Sequence, residues 1–139
     1  MPDTVAHAAT RPAGLLAGKR GIIMGVANDR SIAWGIAAAC AAQGAELAFT
    51  YQGDALEKRV RPLAASVGST LVTPCDVSSD DSIDAAFTAI GMEWPTIDFV
   101  LHAIGWADKA YLRGRYLDTP RAAFLQAMDI SCFSFTAVA

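Results

Sequence analysis

Apolar positions along this chain gather in short blocks whose spacing alternates between strand-like and helix-like. Residues 19–25 (KRGIIMG) form a compact apolar run ending on glycine, the profile of a parallel strand buried on both faces. Residues 31–43 then put Ile32, Ile36, Ala39 and Cys40 on one helical face, with many alanines for close approach to a sheet and Gly44 as the stop. Residues 45–51 (AELAFTY) predict a second strand of aromatic and β-branched character. A second helix is expected over 54–66, with Leu56, Val60, Leu63 and Val67 at helical spacing. Pro62 should kink or restart it, and Gly68 should end it. Residues 69–73 read as a third strand closed by Pro74.

A third helix opens at 78–83 (SSDDSI), where hydroxyl caps precede two carboxylates in the first turn, the end at which the helix dipole favours anions. Its apolar face is Ile83, Ala86, Phe87 and Ile90, with Gly91 as its stop. Residues 97–104 (IDFVLHAI) give a fourth strand before Gly105. Thr119 as N-cap and Pro120 at the first helical position start a last helix. That helix reaches residue 139 with no glycine, proline or basic turn to finish it, so further strands are expected to follow. The order βαβαβαβα predicts an α/β fold, a doubly wound parallel Rossmann-like sheet of which this is the N-terminal half, with about four strands and four helices. Crossovers should be right-handed, and a ligand should sit at the carboxyl ends of the strands.

Residues 1–17 are small and polar with two prolines and read as a flexible tail, leaving 18–139 as a partial dinucleotide-binding domain. The 53% hydrophobic content is ample for one core. A net charge of −3 offers no basic footprint for nucleic acid or an anionic membrane, and no apolar run approaches a bilayer span. Cys40, Cys75 and Cys132 are an odd set without CxxC spacing, each in an apolar neighbourhood, and read as buried free thiols of a reducing cytoplasm. With only His7 and His102, no zinc site is expected.

Candidate chemistry lies at the strand ends. Gly25-x5-Ser31-Ile32-Ala33-Trp34-Gly35 occupies the place of a GxGxxG fingerprint without matching it. Gly25 can supply the tight turn, Gly35 close helix packing, and Ser31 an O–H and N–H at the positive end of the helix. The plainer alternative is a loop with Ser31 as an ordinary N-cap. After the second strand comes Gln52, able to bond a ribose hydroxyl but bringing no charge to a 2′-phosphate, which favours NADH over NADPH. Asp76 and Val77 follow the third strand, where a carboxylate can accept adenine amino protons and an aliphatic side chain can cover the ring; Asp76 serves equally as a loop acid. Small residues at 103–105 would let a nicotinamide ribose pass close to backbone. His102 reads as a hydrogen-bonded core histidine, Trp34 and Trp94 as packing, and Arg113 to Tyr116 as a solvated loop face or a contact for an acidic carrier protein.

Together these blocks resemble the short-chain dehydrogenase/reductase superfamily, and more narrowly its divergent branch, the bacterial NADH-dependent enoyl-acyl carrier protein reductases. The similarity covers residues 15–139 and rests on the 25–37 block, 44–52 (GAELAFTYQ), Cys75-Asp76-Val77, His102-Ala-Ile-Gly105, and 129–136 (DISCFSFT). It departs at Trp106, where phenylalanine or tyrosine is expected, which touches only pocket shape. The resemblance implies that Gly25, Ser31 and Ile32 contact the pyrophosphate, Gln52 the adenosine ribose, Asp76 and Val77 the adenine, and Ile104 the nicotinamide side of NAD. It implies that the backbone at Ala107 borders the acyl substrate carried by enoyl-acyl carrier protein, and that the intact enzyme is a homotetramer. The family's catalytic tyrosine and lysine are expected beyond residue 139, so the catalytic set within the chain is empty and the chain alone should be inactive. Tyr51 and Lys58 have a Tyr-x6-Lys spacing but stand at the adenosine end, far from hydride transfer. Two alternatives stay open: another short-chain dehydrogenase acting on an alcohol or ketone, and a non-catalytic nucleotide-binding fragment.

Overall fold

The computed structural model describes residues 14–139, so His7 and most of the expected tail lie outside the described residues. Residues 14–17 form a turn fixed to the molecule. Leu16 N–H donates to Gln43 O at 3.0 Å and Leu15 N–H to Gln43 Oε1 at 3.1 Å. Four parallel strands follow, β1 (Arg20–Met24), β2 (Glu46–Tyr51), β3 (Val72–Pro74) and β4 (Phe99–His102), in the spatial order β3-β2-β1-β4. Helices α1 (Ile32–Ala42), α2 (Asp54–Ser66) and α3 (Asp80–Glu93) make the crossovers. After β4 the chain takes two 3-10 turns, Lys109–Tyr111 and Tyr116–Asp118, then α4 (Arg121–Met128), a π turn (Asp129–Phe133) and α5 (Ser134–Val138). Strand order reverses between β1 and β4, the switch point at which open sheets of this kind leave a crevice.

The pleat divides the core in two. Ile22, Met24 and Ala48 meet Ile83, Ala86 and Ile90 of α3 on one side of the sheet. Ile23, Leu47 and Phe49 meet Ala33 and Ala37 of α1 and Val60 and Ala64 of α2 on the other. Because the sheet supplies the bulk on this second side, α1 sits over it through the small Ala33 and Ala37, with Trp34 packing beside them, its ring centroid 6.4 Å from that of Phe49. This overturns most of the expected α1 face: Ile32 is 79% exposed, Ile36 39% and Ala39 exposed, while Ala33 and Ala37 are buried and only Cys40 of that face packs on the core. Gly35, too, has open space where a Cβ would stand, so close packing is not its role.

Other boundaries differ for local reasons. Helix α2 runs unbroken through Pro62. Helix α3 passes Gly91 and ends where Trp94 takes extended backbone, imposed by the following Pro95. Its start is as expected, with Ser79 Oγ accepting from Ser82 N–H. Pro74 belongs to β3, an edge strand where its missing N–H costs no ladder bond. Pro120 is itself the N-cap of α4, one residue later than Thr119.

Candidate cofactor site

The carboxyl ends of the strands surround a cleft of about 450 Å³. Its walls are Gly25–Ala27 after β1, Thr50–Gln52 at the end of β2, Cys75–Ser78 after β3 and Ala103–Trp106 after β4, with Leu56 of α2, Gln126 of α4 and Ile130 of the π turn closing the sides. A second hollow, beside Glu46 and Trp94, lies at the amino ends, where this architecture does not bind ligands.

Gly25 is what allows the floor to form. Its φ is +104°, and a Cβ there would lie 2.1 Å from Ala103 O. The backbone leaving β1 therefore runs against the backbone leaving β4, held by Ala103 N–H donating to Met24 O at 3.0 Å. No side chain obstructs the bottom of the crevice, which suits the close approach of a pyrophosphate.

Ser31 serves the loop rather than capping α1. Its hydroxyl donates to Asn28 O and accepts from Ala27 N–H at 3.2 Å, so its proton is committed within the 27–31 turn. The Ile32 and Ala33 N–H groups belong to the donors that a helix start leaves without intrahelical partners. The Ile32 side chain points into solvent, and neither Ser31 nor Ile32 lines the cleft.

Gln52 and Asp76 face the cleft from neighbouring strand ends. Asp76 Oδ1 accepts from Ser78 Oγ at 2.6 Å and Ser78 N–H at 3.0 Å. These bonds, with the Gln52 amide beyond them, hold its carboxyl below the usual carboxylate range, so it stands as a charged acceptor at neutral pH. Burial, reinforced by that carboxylate, pushes the Cys75 thiol up and keeps it protonated. Of the three cysteines expected to be buried, Cys75 alone is, Cys40 being half-buried and Cys132 exposed on the π turn. Val77 is buried beneath the same wall, and Ile104 lines the opposite end.

Tyr51 is bound into a cluster with Arg61 and Glu57. Arg61 lies 5.7 Å from its ring centroid and pairs with Glu57 at 2.7 Å. Lys58 is exposed and does not line the cleft, whereas Tyr51 lines it at the end of β2 and Ile104 after β4. The structure thus gathers Gly25, Gln52, Asp76, Val77 and Ile104 into one cleft. Ala107 is half-buried and stands one residue outside its wall. Sequence reasoning missed Leu56, Gln126 and Ile130, because reading which face of a helix meets a cleft requires the tertiary packing. Ile130 did lie inside the 129–136 block, whose role that reading left unassigned. Among the described residues no cluster of His, Cys, Asp or Glu could hold a metal ion, and no helix is long and apolar enough to cross a membrane.

A family model described as "Enoyl-(Acyl carrier protein) reductase" matches residues 25–139, nearly the whole described region. The chain belongs to this enoyl-(acyl carrier protein) reductase family. An NADH enoyl-[acyl-carrier-protein] reductase of Rhizobium meliloti is 62% identical over 126 residues, covering 91% of this chain and 47% of that relative. A crystal structure of the reductase from Anaplasma phagocytophilum in complex with NAD is 52% identical, with a TM-score of 0.86, covering 94% of this chain and 50% of that one. The Bacillus cereus reductase, solved with NADP+ and indole naphthyridinone, is 49% identical, with a TM-score of 0.87, covering 91% of this chain and 50% of that one. The chain therefore spans about half the length of the reductases it matches.

Proposed function

We propose that this chain forms the cofactor-binding part of an NADH-dependent enoyl-[acyl-carrier-protein] reductase. The supporting observation is the cleft at the β1/β4 switch point, where Gly25, Gln52, Asp76, Val77 and Ile104 line one continuous surface. When bound, the nicotinamide would supply a hydride for the β-carbon of a trans-2-enoyl thioester. The residues here bind and orient. Gly25 and the first-turn N–H groups of α1 receive the pyrophosphate, Gln52 the adenosine ribose, and Asp76 and Val77 the adenine. Ile104 and the backbone near Ala107 border the nicotinamide and acyl ends. A tyrosine and a lysine outside these residues would stabilise the enolate.

The apolar surface of Phe124, Met128, Phe133 and Phe135 supports assembly into a homo-oligomer, a tetramer in the intact enzyme, working in the cytoplasm. Titration of the chain with NADH, followed by nicotinamide fluorescence, tests the reading. Saturable binding that is weaker for NADPH supports it, and Gln52→Arg should narrow or reverse that preference. Absence of saturable binding at millimolar NADH would sink the assignment.

A further inference from the structure

The chain from Met128 to Ser134 departs from α-helical register. The backbone N–H closing the π turn reaches back to Asp129 O, which leaves Ile130 O without its usual α-helical donor. Ser134 Oγ takes that place, donating to Ile130 O at 2.6 Å. Having spent its only proton there, the Ser134 hydroxyl must accept from His102 Nε2–H, 2.8 Å away, so His102 carries its proton on Nε2. The residue that follows the π turn thereby holds the last residue of β4.

The other serine of the segment acts just beyond that strand. Ser131 Oγ accepts from Trp106 N–H at 2.8 Å and donates to Trp106 O at 2.9 Å. One hydroxyl satisfies both backbone groups of a residue that lies outside any strand or helix. Trp106 and Gly105 line the cleft, and so does Ile130, the neighbour of Ser131. The bond therefore ties two walls of the cleft to each other at the end where Ile104 stands.

We propose that Ser131 is a positioning residue, clamping residues 105–107 so that the Trp106 wall is set for the nicotinamide half of the dinucleotide. The proposal rests on the dinucleotide reading above, and it makes a separable demand. Loss of the clamp should disturb only the half of the ligand that lies at this wall. Adenosine-side contacts at Gln52 and Asp76 stand on other strands and should not change.

The test uses the 139-residue chain with Ser131→Ala and Ser131→Thr, measuring Trp106 amide exchange and the affinities for NADH and for ADP-ribose, which lacks the nicotinamide. Alanine is the better helix former, so weakening by Ser131→Ala cannot be ascribed to a poorer helix. The expected result is faster Trp106 exchange and NADH binding weaker by about fivefold, the worth of one typical intramolecular hydrogen bond. ADP-ribose affinity should be unchanged, and Ser131→Thr, which keeps the hydroxyl, should restore both readouts. Unchanged NADH affinity, or NADH and ADP-ribose weakening in parallel, would overturn the proposal. A parent chain that binds neither nucleotide would overturn the dinucleotide reading instead. In that case, unaltered Trp106 exchange in Ser131→Ala would still overturn the clamp.

Discussion

Replacing Gly25 by alanine should do two separable kinds of damage. Its φ of +104° is one that L side chains rarely adopt, and holding a non-glycine residue in left-handed backbone costs roughly 1–2 kcal/mol. The added Cβ would also stand 2.1 Å from Ala103 O and 2.5 Å from Ala103 C, both backbone atoms, so the strand ends must separate by about an ångström. Overpacking of that kind costs a further 1–3 kcal/mol or so. It should also stretch the Ala103 N–H to Met24 O bond that joins β1 to β4. Gly68→Ala isolates the first component, since Gly68 has φ +79° with nothing within 4 Å of its Cβ position. Thermal midpoints of the parent and both variants, taken at one protein concentration, should fall in the order parent, Gly68→Ala, Gly25→Ala. Roughly 4 °C per kcal/mol applies to a domain of this size. Ala103 amide exchange should accelerate only in Gly25→Ala. If the two glycine variants lose equal stability and Ala103 stays protected, the close approach of β1 and β4 is not what fixes Gly25.

Asp98 receives Arg20 N–H at 2.8 Å and Lys19 Nζ at 3.0 Å, which hold its carboxyl below the usual range. The stability gap between the parent and Asp98→Asn should be full above the ordinary carboxylate pKa near 3.9 and close as pH falls through the depressed folded-state value. Denaturation at a series of pH values checks it, and a gap that widens in acid would contradict the sign. Ser134→Ala leaves His102 Nε2–H and Ile130 O without their shared partner at a fully buried position, and should cost about 1–3 kcal/mol in a denaturation midpoint. Phe124, Met128, Phe133 and Phe135 are 43–60% exposed, so light scattering on the chain should report self-association that weakens on Phe133→Asp.

Much of this architecture was legible because strand period, helix period and glycine stops alternate without conflict. Helix α2 matches its expected bounds, Asp54–Ser66, and the parallel direction of all four strands follows from strict alternation. The face that α1 turns to the sheet differs from the expected one because Ala33 and Ala37 sit directly over Ile23, Leu47 and Phe49, with Trp34 and Cys40 packing beside them, which turns Ile32 and Ile36 outward. Gly91 was misread as a stop because glycine merely weakens a helix, while the proline after Trp94 forbids its continuation. At the site, Gly25, Gln52, Asp76, Val77 and Ile104 could be read because strand ends converge whatever the side chains do. Ser31 shows the limit: its hydroxyl could serve an anion, a cap or its own loop, and only the turn at Asn28 decides among them. The π turn had no sequence signal, since it depends on Ser131 and Ser134 finding partners 25 and 32 residues away.

The segment from α4 to α5 has a further consequence. Gln126 and Ile130 form the side of the cleft, while Ile130, Ala137 and Val138 cover the core cluster of Ile22, Met24 and Ile90. Cys75, Val77 and Ile104 likewise belong to both the cleft wall and that core. Whatever fills the cleft therefore presses on the same side chains that keep water out of the interior. Occupancy and folding share one free energy: a ligand at a hundred times its dissociation constant adds about 2.7 kcal/mol to the folded state. Melting temperature thus becomes a ligand assay for this chain, able to rank nucleotides by the degrees each one adds.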